Sequence, residues 1–114
     1  MRILIVEDDP LLADGVAQLL RGAGYTADYV GSAEQAESAL AAEKFDLLVL
    51  DIGLPGMDGR ALASKARELR DRLPILFASG YAENLDVAEG MAVIGKPFSI
   101  DQLRAKVKSM LINA

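Results

Sequence analysis

The chain has 114 residues, with 12 Lys and Arg against 17 Asp and Glu and a formal net charge of −5. This acidic balance disfavours a protein that binds nucleic-acid phosphates, because such domains carry basic patches. The chain contains no cysteine and no histidine, which excludes disulfides and histidine-based catalysis. The side chains that remain available for catalysis are carboxylates, hydroxyls and lysine. A bound metal would be a hard cation with oxygen ligands.

The length predicts a single domain, residues 1–114, with no output domain and with a core large enough to fold without disulfides. No apolar segment has the length of a membrane span, and no signal-like leader precedes the first apolar segment. Together with the absence of cysteine, these features predict a cytoplasmic protein that contacts neither membrane nor nucleic acid directly.

Five apolar segments have the length of β-strands: residues 3–6, 25–30, 45–50, 75–78 and 92–94. The four aliphatic residues from Leu47 to Leu50 show no alternation, which is typical of a strand buried on both faces at the centre of a parallel sheet. The strand ends at Asp51, and the glycines and proline that follow predict a loop.

Helical periodicity separates the strands. Asp9 is the predicted cap of the first helix and Pro10 its first residue, and the predicted buried face comprises Leu12, Val16, Leu19 and Ala23. Ser32 and Gln35 form a capping box for the second helix, whose predicted buried face is small: Ala33, Ala36 and Leu40.

The third helix is predicted to follow Gly59 and to end at Pro74, with its apolar face inward: Leu62, Ala66, Leu69 and Leu73. A short helix is predicted within residues 84–89. Ser99 and Gln102 form a second capping box, and the apolar face of the last helix comprises Ile100, Leu103, Val107, Met110 and Leu111.

Strands that alternate with helices predict an α/β sandwich, with a parallel sheet, right-handed crossovers and helices on both faces. In such sheets the carboxyl ends of the strands meet at one crevice, where ligands bind. The polar residues at these ends are Glu7, Asp8, Asp51, Ser79 and Lys96.

Three carboxylates brought within about 4–5 Å repel one another by roughly 3–4 kcal/mol per pair at an effective dielectric constant near 20. Mg²⁺ would remove this repulsion and leave coordination positions for a phosphoryl group. A lysine and a hydroxyl complete a cradle for phosphoryl oxygens, and Asp51 is the predicted nucleophile, forming an acyl phosphate.

Four motifs resemble the successive signatures of the receiver domain of response regulators in two-component signalling: IVEDD at 5–9, LDIGLPGMDG at 50–59, ASG at 78–80 and GKPF at 95–98. The resemblance covers essentially the whole chain. It implies a doubly wound (βα)5 flavodoxin-like sandwich of three layers, with a five-stranded parallel sheet in the order 2-1-3-4-5.

The resemblance also implies a Mg²⁺ site. Glu7 and Asp8 match the acidic pair of that site, and Asp51 and the backbone carbonyl of Gly53 match its other protein ligands. Asp9 lies one residue beyond the matching pair, so it is assigned to helix capping.

By the same resemblance, Asp51 is the phosphoacceptor, Ser79 the switch hydroxyl and Lys96 the phosphate contact, and the bond between Lys96 and Pro97 is cis. The implied function is a phosphorylation-dependent module rather than an enzyme: the domain catalyses its own phosphorylation and loses the phosphoryl group slowly. Its implied partners are a sensor histidine kinase or histidine phosphotransfer protein, and a downstream effector.

Simpler interpretations exist for single motifs. The acidic run at 7–9 is also typical of a solvated helix N-terminus, and Ser79 of an ordinary hydroxyl at a strand end. Asp46 and Asp58 are interpreted as turn and cap residues, outside the site.

The chain departs from the family pattern at Val93, where most members carry Tyr or Phe. The conventional aromatic half of the switch is missing, and Tyr81 is a candidate substitute. This departure keeps open an alternative function, a receiver-fold interaction module that works without phosphorylation. An aspartyl-phosphate phosphatase is a third hypothesis, weakened because Gly53 stands where such an enzyme would need a second Asp.

Overall fold

The computed structural model describes residues 1–51, 59–79, 90–95 and 98–112, apart from the side chains of residues 51, 59, 60 and 79. In chain order its elements are β1 (Arg2–Val6), α1 (Pro10–Gly22), β2 (Thr26–Val30), α2 (Ala33–Ala42), β3 (Leu47–Asp51), α3 (Gly59–Leu69), β4 (Ile75–Ser79), β5 (Met91–Gly95) and α4 (Ile100–Ile112). The short helix predicted within residues 84–89 lies outside the described residues.

The five strands form one sheet in the order β2-β1-β3-β4-β5, and every neighbouring pair is parallel. This arrangement confirms the predicted doubly wound α/β fold. The residues from Leu47 to Leu50 on β3 are at most 4% exposed, as expected for a strand covered on both faces.

The core has two layers, one on each face of the sheet. Alternation along β1 places Ile3 and Ile5 in the layer beneath α1 and α4, and Leu4 and Val6 in the layer beneath α2 and α3. Each buried aliphatic side chain contributes about 1.5–3 kcal/mol to the stability of the fold. The two layers hold the strands, and therefore their carboxyl ends, in a rigid frame.

Helix α1 begins as predicted, but its buried face differs from the prediction. The Asp9 Oδ1 atom accepts hydrogen bonds from the amides of Leu11 and Leu12, at 3.0 and 3.4 Å. The buried residues are Ala13, Val16, Ala17 and Leu20, whereas Leu12 is 41% exposed. The small side chains of Ala13 and Ala17 share this buried face with Leu20, whereas Leu19 is only partly buried.

This correction predicts a large difference between leucines of α1. Leu20→Ala is expected to lower the free energy of unfolding by about 3 kcal/mol, because it empties a fully buried site. The matched control Leu11→Ala alters a side chain that is 86% exposed, so it should change stability by at most about 0.5 kcal/mol. Urea titration measures both values. If Leu19→Ala lowers the free energy of unfolding as much as Leu20→Ala does, the result would support the buried face predicted from the sequence.

The predicted capping box is complete at α4 and half formed at α2. At α4 the two bonds are reciprocal: the Gln102 amide donates to Ser99 Oγ at 3.0 Å, and the Ser99 amide donates to Gln102 Oε1 at 2.8 Å. At α2 the Gln35 amide donates to Ser32 Oγ, but Gln35 Oε1 accepts from the amide of Gly31 instead. Leu103, Val107 and Leu111 are buried as predicted, whereas Ile100 is 51% exposed.

Helix α3 ends at Leu69, earlier than Pro74, and Leu69 is 40% exposed rather than buried. Arg72 adopts a positive φ of 61°, and this turn returns Leu73 to the core, where it is 4% exposed. The apolar period therefore continues past the end of the helix through a turn, which the sequence pattern does not distinguish from one more helical turn.

Gly90, at the entrance to β5, packs against α3. It has φ +80°, and a Cβ atom there would lie 2.8 Å from Nη2 of Arg67, whose Nε donates to the Leu73 carbonyl. Gly90→Ala should therefore cost about 1–2 kcal/mol, chiefly because a Cβ disfavours this backbone conformation. Gly15→Ala is the control with the opposite sign: Gly15 lies inside α1 with open space around it, so the change should add about 0.5–1 kcal/mol. A stabilising Gly90→Ala in thermal unfolding would contradict this account.

Arg2 joins three segments near the amino-terminal ends of the strands. Its amide donates to Asp46 Oδ2 at 2.8 Å, and its guanidinium pairs with Asp28 and Glu43, each at 3.2 Å, and lies over the Phe45 ring. The hydrogen bond to Asp28 is the main cause that raises the pKa of Arg2. This polar cluster is at the sheet edge opposite the predicted site.

Candidate functional site

The strand register brings the backbone positions of three predicted site residues to one edge of the sheet: Glu7, Asp51 and Ser79. Val6 pairs with Leu50, so Glu7 follows β1 beside the position where Asp51 ends β3. Asp51 pairs with Ala78, and the next residue, Ser79, ends β4 opposite Gly95 of β5. Lys96 follows Gly95 in the chain but, like Gly53, lies outside the described residues. The backbone positions of Glu7, Asp51 and Ser79 thus share the carboxyl edge.

Glu7 is the one buried charged residue among the described side chains, with 7% exposure. Its amide donates to the Val30 carbonyl at 3.0 Å, and its Oε1 accepts from the amide of Asp9 at 3.3 Å. Burial of a carboxylate is costly unless charge or hydrogen bonds compensate, and such residues concentrate at functional sites. The neighbouring Asp8 is exposed. The edge therefore offers one buried and one accessible carboxylate from adjacent residues.

No three acidic side chains within the described ranges are grouped closely enough to hold a metal ion. The side chain of Asp51, the third carboxylate of the predicted set, is not among those described. The donors that are described, Glu7 and Asp8, are oxygen ligands of the kind that Mg²⁺ prefers.

A small pocket of about 20 Å³, partly open to solvent, is lined in part by Glu7, and the sequence did not predict it. Its walls come from β1, α1, β3, β4 and the segment before α4: Ile5, Val6, Glu7, Leu12, Val16, Val49, Ala78 and Phe98. The small side chain of Ala78 on a central strand is the one sequence signal that points to it.

Val93, the departure from the family pattern, pairs in register with Phe77 and packs in the layer beneath α2 and α3. Phe77 is 4% exposed, so an aromatic ring already occupies this layer on the neighbouring strand. The pocket lined by Glu7 is on the opposite face of the sheet, since most of its apolar walls belong to the layer of α1 and α4.

Comparison with protein families gives a match between residues 3–108 and the model of the response regulator receiver domain. The chain belongs to this family. Among curated relatives, the receiver is 38% identical to the response regulator protein PmrA of Pseudomonas aeruginosa, over 96% of this chain and 52% of the relative. It is 36% identical to the transcriptional regulatory protein BasR of Escherichia coli strain K12, over 97% of this chain and 52% of that protein. The receiver thus spans about half the length of these relatives.

Solved structures support the same assignment. The receiver domain of the hybrid histidine kinase CckA superimposes with a TM-score of 0.87 at 34% identity, covering 97% of this chain and 99% of that one. The response regulator TrrA of Thermotoga maritima, solved in complex with Mg²⁺ and BeF, gives a TM-score of 0.85 at 28% identity, covering 96% and 97%. The chain is therefore a receiver domain of the kind found in two-component regulatory systems.

A membrane-spanning helix is not found in the described part of the receiver, where every helix is too short or too polar.

Proposed function

We propose that the receiver accepts a phosphoryl group on Asp51 from a phosphohistidine of a sensor histidine kinase or histidine phosphotransfer protein. The observation that carries this proposal is the β1–β3 register, which sets the buried Glu7 beside the end of β3 at Asp51. Residues 1–114 form the phosphoaccepting unit in this proposal, and it acts in the cytoplasm without direct contact with nucleic acid or membrane.

Mg²⁺ fits the donors at this edge, because they are carboxylates and the chain has no histidine or cysteine. The proposed ligands are Glu7, Asp8, Asp51 and the backbone carbonyl of Gly53. When bound, Mg²⁺ neutralises charge on the carboxylates and on the phosphoryl oxygens. Asp8 is exposed and Glu7 buried, so the ion would lie between solvent and the core.

The transfer forms one bond and breaks one. A carboxylate oxygen of Asp51 attacks phosphorus, the P–N bond of the phosphohistidine breaks, and the bond's electron pair leaves with the imidazole of the donor. Lys96 and the Ser79 hydroxyl hold the phosphoryl oxygens. Attack of water on the acyl phosphate later releases inorganic phosphate and restores Asp51. In this proposal the receiver does not act as an enzyme toward an external substrate.

Phosphorylation adds charge at the carboxyl edge of the sheet. In the proposed switch, this charge shifts the equilibrium between two conformations of the receiver surface, and a downstream effector distinguishes between the two. Leu11, near the start of α1 and four residues after Glu7 in the chain, is 86% exposed, and we propose it as an apolar contact for the donor protein.

The second candidate function is an interaction module that works without phosphorylation. It is favoured by Val93, which packs beneath α2 and α3 without the aromatic ring that would respond to the switch hydroxyl. The two functions differ in their chemistry, so one experiment separates them.

The test is intact-protein mass after incubation with a small phosphodonor such as phosphoramidate, with and without Mg²⁺. The proposal expects one added phosphoryl group only when Mg²⁺ is present. Failure to gain mass, together with failure to bind Mg²⁺ or beryllofluoride, would favour the interaction module instead.

A further inference from the structure

A groove lies between the turn that precedes β2 and the exposed side of α4. It is open to solvent, has a volume of about 480 Å³ and is lined by six residues: Ala23, Tyr25, Asp101, Arg104, Ala105 and Lys108. Ala23 and Tyr25 come before β2, so this wall stands at the amino-terminal edge of the sheet, whereas Asp51 ends β3 at the carboxyl edge. The proposed phosphoryl transfer therefore does not use the groove, although its volume is in the range of protein ligand sites.

Two cations of α4 line the groove. Arg104 and Lys108 are exposed, and neither forms an ion pair with a residue in the described part of the chain. Residues four apart on a helix lie on the same side with their Cβ atoms about 5–6 Å from each other, so the two positive charges repel. The chain as a whole is acidic, with a net charge of −5. This local pair of cations therefore favours an anionic ligand in the groove.

The shape of the groove favours an acidic helix over a small anion. Two carboxylates four residues apart on a helix have the same spacing of about 5–6 Å as the two cations on α4. Ala23 and Ala105, one on each wall, extend no further than Cβ and leave room for a second backbone to approach. Tyr25 is half-buried and adds aromatic surface, which is enriched at protein interfaces.

Asp101 makes the charge of the groove asymmetric. It lies on the same side of α4, three residues before Arg104. A continuous chain of phosphates, as in nucleic acid, would be repelled by this carboxylate. A helix with two acidic residues and then a basic residue at one end would instead pair with all three charges of α4.

We propose that this groove is a docking surface for a helix of a partner protein. Two carboxylates of that helix pair with Arg104 and Lys108, and a basic residue lies near Asp101. The surface is separate from the carboxyl edge, so it holds the partner whether or not Asp51 is phosphorylated. The inference goes beyond the proposed phosphoryl transfer and is tested without it.

The test uses a designed peptide as the probe. An alanine-rich peptide of about 18 residues is long enough to be helical in water, and it carries two Glu four residues apart and a Lys three residues further on. A control peptide has Gln in place of both Glu. The receiver is titrated with each peptide while its amide resonances are followed by NMR, at about 0.15 M salt to screen charges that do not contact the peptide.

The variants are Arg104→Gln, Lys108→Gln and, as the matched control, Lys106→Gln. Lys106 belongs to the same helix but does not line the groove. Each variant loses one positive charge, so the three differ only in where that charge stood. Thermal unfolding checks that all of them are folded.

The acidic peptide should shift the amides of α4 and of residues 23–25, and leave those around Glu7 unchanged. Arg104→Gln and Lys108→Gln should each weaken its binding by about two- to fivefold, the range for exposed ion pairs, whereas Lys106→Gln should weaken it by less than about 1.5-fold. The Gln peptide should bind more weakly to the wild type than the Glu peptide does, and equally to Arg104→Gln and the wild type.

Two results would overturn the proposal. One is the absence of shifts at the groove, or equal weakening by Lys106→Gln and Lys108→Gln, since the peptide would then respond only to the overall charge. The other is displacement of the peptide by inorganic phosphate or a single-stranded oligonucleotide at the same concentration, which would make the groove a general anion site. The titration contains neither Mg²⁺ nor a phosphodonor, so failure here is distinct from failure of the proposed function.

Discussion

Asp51→Asn is expected to abolish the Mg²⁺-dependent gain of a phosphoryl group, because an amide oxygen is too weak a nucleophile to form the acyl phosphate. The loss should be complete rather than partial, since the remaining described carboxylates at the edge, Glu7 and Asp8, are the proposed ligands of Mg²⁺, and Glu7 is only 7% exposed. Intact-protein mass with a small phosphodonor and Mg²⁺ measures the result, and peptide mapping of the wild type locates the phosphoryl group.

The matched control is Asp14→Asn, which makes the same change on α1, where Asp14 accepts a hydrogen bond from Gln18. This variant should gain the phosphoryl group as the wild type does. If Asp51→Asn gains the phosphoryl group to the same extent as the wild type, the acceptor is another residue. That result would contradict the proposed role of the β1–β3 edge.

Asp8→Asn is expected to lower Mg²⁺ affinity by about 10- to 100-fold or more, because it removes a charged ligand, and in metal sites generally even the loss of a residue that only orients a ligand has effects of that size. Asp9→Asn is the critical comparison. Asp9 caps α1 through bonds to Leu11 and Leu12, and Asn caps a helix as well as Asp does. Its Mg²⁺ affinity should therefore stay within about twofold of the wild type, apart from a screened loss of one nearby charge.

Isothermal titration calorimetry measures both affinities, with thermal unfolding as the check that each variant is folded. Equal losses in Asp8→Asn and Asp9→Asn would place Asp9 among the metal ligands and remove its assignment to capping alone. No loss in either variant would place the metal elsewhere and would leave the acidic run as the solvated N-terminus of α1.

Local chemistry explains the success of several predictions. The caps at Asp9, Ser32 and Ser99 could be predicted because a cap depends on a side chain and an amide only two or three residues away. The uninterrupted aliphatic run on β3 indicated a strand covered on both faces for a similarly direct reason, since the pleat presents every second residue to each face.

The incorrect predictions concern residues whose burial depends on packing between secondary-structure elements. On α1 the predicted face was offset because periodicity counts large apolar residues, whereas the sheet selected the face with Ala13 and Ala17. Leu69 and Ile100 fit the helical period of the apolar residues, yet both are exposed. The period indicates which residues share one face of a helix, but not how far along the helix that face is covered by other elements. The assigned roles of all the predicted site residues stay predictions: Glu7, Asp8, Asp51, Gly53, Ser79 and Lys96.

By itself, the sequence determined the order of strands and helices, the helix caps, the family and the residues that stand at the strand ends, because each of these depends on short-range pattern or on motifs. Only the tertiary structure decided that Glu7 is buried, that Asp8 beside it is exposed, and that Glu7 and Phe98 line the same small pocket. Burial and pockets depend on how side chains from five separate segments pack against one another, and no local pattern in the sequence contains that information.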